Sequence, residues 1–416
     1  MSPPESGDVT ASLSFYMRLF VSALSLLVSL TVLASDKLEA ARAIAERQLA
    51  SKDIVVSKHT EAYCIFSRLD QGGYAIVSTR QVGNPRLLAF SREGSWRESD
   101  VPPAVEEWLD RLDTLRLAPV DNSMSRRAEE SQERTDIQPL LTCHWHQRSP
   151  YNDLAPVITD GQVKTVAGCV AIAAAQVTYY WRQYNPESTM KDTPTYVYGG
   201  APVTEVIPKG SPNNWDLMLD SYDSNSSAES RAAVAQLCYV LGTTSYLNYA
   251  TSTGGSIRDV SNAMYSQYRI LSDYIYRANY DRDWEALLYY ELQNGHPIIC
   301  SGSGSGPTGH AFVLDGYDSA TKFFHFNFGW GGSGDGYYPA DESPEAMGGY
   351  YQGQAVLVDI HPRMVSINVT SAENGRQSVK QGIYDMRGCR LDRVPLRGFY
   401  IVVDADGVRK KYSINY

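Results

Sequence analysis

Val166-Ala167-Gly168-Cys169-Val170-Ala171-Ile172-Ala173-Ala174-Ala175-Gln176-Val177 opens a run of small and apolar residues that continues to Tyr184 without a proline. Ala171 and Ala173 to Ala175 carry strong helix propensity, and Pro186 marks the far end. A buried helix is therefore expected over 169–184. Cys169 then sits in its first turn, where the helix dipole and unpaired N–H groups favour an anion and lower a thiol's pKa. Gly168 just before it lacks a side chain, which lets a substrate backbone approach closely. A free cysteine is also a common inert core residue, so the rest of the chain must decide between the two readings.

Downstream of the Cys169 helix, 185–210 is rich in Pro, Gly and Thr and reads as loops. Helices are expected at 215–222, 228–241, 257–268 and 284–293, the last ended by Asn294-Gly295. Beyond 297 the pattern changes to strands, at 297–301, 309–317, 323–332, 336–338 and 354–360. A helical half followed by consecutive strands indicates a two-lobed α+β domain, with a helical lobe facing an antiparallel sheet. That domain begins near 137 and ends at 362.

Upstream, 35–122 reads as a small α+β unit of its own. An amphipathic helix carries Leu38, Ala41, Ala45 and Leu49 on one stripe. Strands are expected at 62–66, 73–78 and 86–91, and Pro102-Pro103 opens a second helix with Val105, Trp108, Leu109 and Leu112. The polar stretch 123–136 is an exposed linker open to proteolytic nicking. A β-rich tail, 363–416, closes the chain, similar to C-terminal sorting or attachment domains of secreted bacterial proteins or else a plain accessory β-domain.

The 416 residues suit two or three domains, and the net charge of -10 excludes the basic face that nucleic-acid binding needs. The apolar run 19–34 follows Met17-Arg18 and ends in Val32-Leu33-Ala34 before Ser35. Short for a membrane span, it reads as a signal peptide over 1–34, with the true start at Met17 and an exported product. Six cysteines at wide, irregular spacing fit neither a disulfide scaffold nor a CxxC metal site. If Cys169 is free, at least one other is unpaired within the chain.

Among seven histidines, His310 follows a Gly/Ser-rich loop and opens a strand. His144 and His146 lie close together but lack a third ligand of the HExxH kind, so no metal is expected. Asn327 stands in the next strand among aromatics. Cys169, His310 and Asn327 follow one another at separations of 141 and 17 residues, the order of papain-like cysteine peptidases.

Four blocks then resemble the streptopain family of cysteine peptidases. They are Gln147 with Pro150-Tyr151-Asn152, then Gly168-Cys169-Val170-Ala171, then the run from Gly309-His310 to Gly316, and Asn327-Phe328-Gly329-Trp330-Gly331-Gly332. The resemblance covers 137–362, and 36–121 is similar to that family's pro-domain. It implies a secreted, papain-like endopeptidase made as a zymogen, acting on proteins or peptides under reducing conditions and without a cofactor. Cys169 would be nucleophile, His310 its base, Asn327 the orienter of the ring, and Gln147 an oxyanion donor. Trp330, Gly168 and Gly309 would support the cleft, with loops 252–256 and 302–309 bordering it. The docked pro-domain would displace His310 or block access.

Two departures stand out: Phe328 replaces the family's usual tryptophan, and Asp153-Leu154-Ala155-Pro156 replaces a common Cys-Pro after Asn152. Two other readings fit the same residues, a non-catalytic relative that binds or inhibits, and an acyl transferase using the same triad.

Overall fold

The computed structural model describes residues 36–69, 72–79, 84–94, 96–98, 101–114, 134–158, 163–184, 190–304, 309–340, 350–363, 382–384, 390–391, 398–403 and 409–414. The expected leader, most of the linker, Cys389 and the tip of the 302–309 loop lie outside them. In chain order the main elements are α1 (36–49), β1 (Ile54–His59), β2 (Tyr63–Arg68), β3 (Tyr74–Ser78), β4 (Leu87–Ser91), α2 (Pro103–Thr114), β5 (Val157–Ile158), β6 (Val163–Lys164), α3 (Cys169–Tyr180), α4 (Ala228–Thr244) and α5 (Ile257–Tyr268). They continue as β7 (Ile270–Tyr276), α6 (Trp284–Gln293), β8 (Ile298–Ser303), β9 (Gly309–Asp318), β10 (Phe323–Asn327), β11 (Gly336–Tyr338) and β12 (Gln352–Pro362). Four further strands, β13 (Gly382–Tyr384), β14 (Arg390–Leu391), β15 (Gly398–Val403) and β16 (Arg409–Ile414), form a separate antiparallel sheet in the order β14-β13-β15-β16.

Ten strands make one antiparallel sheet, ordered β1-β2-β3-β4-β11-β10-β9-β8-β12-β7. Successive side chains on a strand point to opposite faces, and the core follows that alternation. Ile299, Ala311, Val313, Ala355 and Leu357 pack with α3, α4 and α5. Their neighbours Ile298, Cys300, Phe312, Leu314, Val356 and Val358 pack with α6 and α2. The fold is α+β, with a helix-rich half closing one face of the sheet.

The N-terminal unit does not stand alone. The α1 stripe of Ala41, Ala45 and Leu49 covers Phe66, Ala75, Val77 and Phe90 on one face, as its spacing predicts. The other face of the same strands, with Trp108, Leu109 and Leu112 of α2, joins the core that holds Phe324, Phe326, Phe328 and Tyr338. β4 meets β11 where Phe90 lies opposite Tyr337, their rings stacked 4.7 Å apart. Tyr74 is buried, and its hydroxyl donates to the Gly334 carbonyl at 2.9 Å. The small α+β unit expected at 35–122 thus shares its sheet and its core with the strands of the 137–362 domain.

Local expectations differ in four places, the first being the strand expected at 323–332, which ends at Asn327 where a glycine-rich turn begins. The Cys169 helix stops at Tyr180 and gives way to a 3-10 turn, Arg182–Tyr184. At 215–222 only the turn Trp215–Leu217 is helical. Its backbone is claimed by distant partners: the Trp145 indole donates to Leu219 O, Tyr179 Oη to Met218 O and Ser230 Oγ to Leu217 O. The edge strands β1 and β7 were not expected at all.

Candidate active site

α3 is buried from Val170 to Tyr179, so its N-terminus is delivered to the cleft by a helix packed on all sides. Cys169 is its first residue, and Gly168 caps it at φ 92°. That left-handed backbone favours glycine, and a Cβ there would lie 2.8 Å from Thr253 Cγ2. The space expected to admit a substrate backbone is thus filled by Thr253, which corrects the reading of Gly168. Thr253 Oγ1 donates to Val166 O at 2.7 Å, tying the 252–256 loop to the start of the helix.

Five cysteines, Cys64, Cys143, Cys169, Cys238 and Cys300, are free, and Cys169 is the one partly exposed. Burial pushes the Cys64 thiol up to about 11 and those of Cys143, Cys238 and Cys300 higher still. At Cys169 burial also opposes ionisation, but the charge and hydrogen bond of His310, with main-chain hydrogen bonds from Ala311 and Val170, override it and lower the thiol. Among the described residues this is the only cysteine shifted toward thiolate.

His310 enters at the start of β9, paired with Gly302 of β8 and largely buried. Its ring stacks on Tyr350 at 5.1 Å and is flanked by Phe312, Phe328 and Trp330 at 6.2, 6.4 and 6.3 Å. Nε2 lies 2.8 Å from the Phe328 carbonyl oxygen. A carbonyl only accepts, so Nε2 carries a proton in either charge state and Nδ1 is left for the sulfur. With the N-terminal unit packed on the sheet, His310 still bonds Cys169. Displacement of the histidine is therefore not how this form is arranged.

Asn327 is placed differently from expectation. Its Oδ1 accepts from Gln176 Nε2 at 3.0 Å and from Gly329 N at 3.1 Å, and its Nδ2 donates to Cys143 O at 2.9 Å. The carboxamide does not reach the His310 ring, which corrects its reading as the direct orienter. It acts one bond away, because Gly329 N–H and Phe328 C=O belong to the same planar peptide. Asn327 holds the N–H end of that peptide, and His310 meets the other end. Gly329 turns at φ 71° against Ile172 of α3, where a Cβ would come within 3.0 Å of Cγ2.

Two residues that sequence reading passed over complete the mounting. Asp335 Oδ1 accepts from Phe328 N at 2.8 Å, and its Oδ2 lies 3.2 Å from His144 Nδ1. Gln176 is fully buried, and its Oε1 accepts from Trp145 N at 3.1 Å. A glutamine inside Ala-Ala-Ala-Gln-Val is the signal that was available, since a buried amide must find partners. Asp335 sits in a glycine-rich turn and gave no such signal.

The other expected residues fall nearby. Gln147 is buried, and its main-chain carbonyl accepts from Ala167 N at 2.9 Å, beside the helix start. The Ser149–Pro150 bond that follows is cis. Trp330 packs edge-on to His146 at 5.4 Å. Gly309 opens β9 opposite Ser303.

A peptidase C10 family model matches residues 145–338. Streptopain of Streptococcus pyogenes is 30% identical over 327 residues, covering 71% of this chain and 79% of that protein. The thiol protease/hemagglutinin PrtT of Porphyromonas gingivalis is 25% identical over 332 residues, 72% of this chain and 37% of that one. The structure of a prointerpain A fragment from Prevotella intermedia superposes with a TM-score of 0.58 at 27% identity, over 75% of this chain and 99% of the fragment.

Proposed function

This chain belongs to the streptopain (peptidase C10) family and is a cysteine-type peptidase, and from that premise we propose that Cys169 and His310 hydrolyse peptide bonds through a thioester. The observation that carries the reading is the Cys169 thiol, lowered at a helix N-terminus by a histidine whose other nitrogen is already committed to a carbonyl. The thiolate attacks the scissile carbonyl and the C–N bond breaks as His310 protonates the leaving amine. His310 then takes a proton from water, which attacks the thioester and returns the free enzyme. Gln147 and the Cys169 N–H stabilise the oxyanion, a contribution of about 3–4 kcal/mol per donor in comparable sites. Asn327 and Asp335 hold the Phe328–Gly329 peptide that fixes the imidazole.

We infer further that 35–122 is a pro-region, removed by cleavage in the 123–136 linker. It limits access to the cleft while leaving the Cys169–His310 pair assembled. Export through the 19–34 segment and reducing conditions for activity belong to the same reading; no helix among the described residues is long and apolar enough to cross a membrane. The test is casein hydrolysis by wild type and Cys169→Ala, with and without reductant. Wild type should cleave only when reduced, take up an epoxide thiol-protease probe at Cys169, and shorten on incubation, while Cys169→Ala stays full length. Hydrolysis by Cys169→Ala would end the proposal, and a purified Cys169→Ala chain that still matured would exclude self-processing.

A further inference from the structure

At the end of the sheet lobe, four side chains of metal-binding type converge on a place that the peptidase chemistry does not use. Glu291 lies in the last turn of α6, His296 in the turn leading to β8, and Asp359 and His361 near the end of β12. The ligand atoms of Glu291, His296 and Asp359 lie within 4.8 Å of one another. His296 Nδ1 is 3.2 Å from Glu291 Oε2 and 3.7 Å from Asp359 Oδ1. A tetrahedral ion with bonds of about 2.0–2.1 Å spaces its ligands about 3.3 Å apart. The two gaps from His296, 3.2 and 3.7 Å, are close to that.

The arrangement around these atoms is specific. Glu291 is 1% exposed, and its Oε2 accepts from Asp359 N at 2.8 Å, so the carboxylate is fixed in the interior. β12 bulges between Val358 and His361, and Asp359 takes a left-handed φ of 51° that strand residues rarely adopt. His361 Nδ1 faces the Pro362 carbonyl at 3.0 Å, leaving Nε2 to sit 3.7 Å from the second oxygen of Asp359. As an imidazolium, which donates from both nitrogens, His361 would pair with that carboxylate from outside the ligand set. The turn is also anchored from behind, by Tyr180 Oη donating to Gly295 O at 3.0 Å.

From these residues we propose a divalent transition-metal site, Glu291–His296–Asp359, with His361 orienting Asp359. One imidazole and two carboxylates suit Zn²⁺ over Ca²⁺ or Mg²⁺, which prefer all-oxygen sets. Three protein ligands leave a fourth position to water. The ion fastens the α6–β8 turn to the bulge of β12 and so closes the sheet lobe at the end of α3 opposite Cys169. Along the chain the ligands are scattered, which is why motif reading, confined to His144 and His146, did not gather them.

The test uses the full chain as Cys169→Ala, because a thiolate beside His310 would itself bind Zn²⁺. The protein is stripped with chelator and titrated with Co²⁺ by visible absorption and with Zn²⁺ by calorimetry. One equivalent should bind, with the intense visible bands of low-coordinate Co²⁺ and a rise of several degrees in melting temperature on Zn²⁺ addition. Asp359→Asn and His296→Gln should abolish both, and His361→Gln should weaken binding about 10–100-fold. Circular dichroism checks that each variant is folded; if His296→Gln is not, the isosteric Asp359→Asn carries the comparison. Absence of stoichiometric binding, or binding unchanged in Asp359→Asn, would overturn the site.

Discussion

Replacing Asn327 with alanine separates a direct partner of the imidazole from a residue that builds the wall behind it. The substitution strips three buried groups of their partner: Gln176 Nε2, Cys143 O and Gly329 N. Gln176 cannot swing away to recover, because its oxygen is held by Trp145 N. Each orphaned buried group costs about 1–3 kcal/mol. With partial relaxation, the sum is about 3–5 kcal/mol. For a domain of this size that lowers the melting temperature by about 6–20 °C. Activity in the folded fraction should fall as well, since the Phe328–Gly329 peptide loses the anchor that aims its carbonyl at His310. Calorimetry in the Cys169→Ala background reads the first effect free of self-digestion, and peptide hydrolysis by the otherwise intact enzyme reads the second. A melting temperature within about 2 °C of the parent, with activity lost, would refute this account and return Asn327 to the role of simple ring orienter.

Three other outcomes follow from the same contacts. Alkylation of Cys169 by iodoacetamide should be slow at low pH, rise as the thiolate fills through its lowered pKa, and level off below the pH where an ordinary thiol does; His310→Gln should move that inflection up, and an unmoved inflection would contradict the pairing. Gly168→Ala should cost about 2–4 kcal/mol, from backbone strain and the contact with Thr253. Adding Thr253→Ser, which deletes the clashing methyl, should restore part of that stability, measured by denaturant unfolding. Tyr74→Phe removes a buried hydroxyl that serves Gly334 O and Tyr338 Oη, and should lower the stability of the full Cys169→Ala chain by about 1–2 kcal/mol in the same assay.

The pairing of Cys169 with His310 was legible because it rests on residue types at readable positions: a cysteine opening an alanine-rich helix and a histidine opening a strand. The partner of the imidazole was not, because it is a main-chain carbonyl, and main-chain groups leave no trace in residue identity. That also accounts for Phe328 where the resemblance leads one to expect tryptophan: the ring at 328 serves packing, and any residue there supplies the oxygen. Asp335 was hidden for a related reason, since an aspartate among glycines looks like turn chemistry until the fold brings Phe328 N–H to it. β1 was missed because it is an edge strand with mostly exposed side chains and little apolar alternation. The helix expected at 215–222 failed where the side chains of Trp145, Tyr179 and Ser230 took carbonyls that a helix would have used.

The continuity of the sheet from β1 to β7 bears on how the proposed pro-region would be removed. A cut anywhere between 115 and 133 leaves β4 still bonded to β11, Tyr74 anchored at Gly334, and Trp108 still buried beside Tyr338. The severed piece is then retained as a subunit is retained, and its departure is governed by dilution, heat or its own digestion. Once it leaves, the newly bared strand is only Gly336–Tyr338, too short an edge to invite a foreign strand in its place.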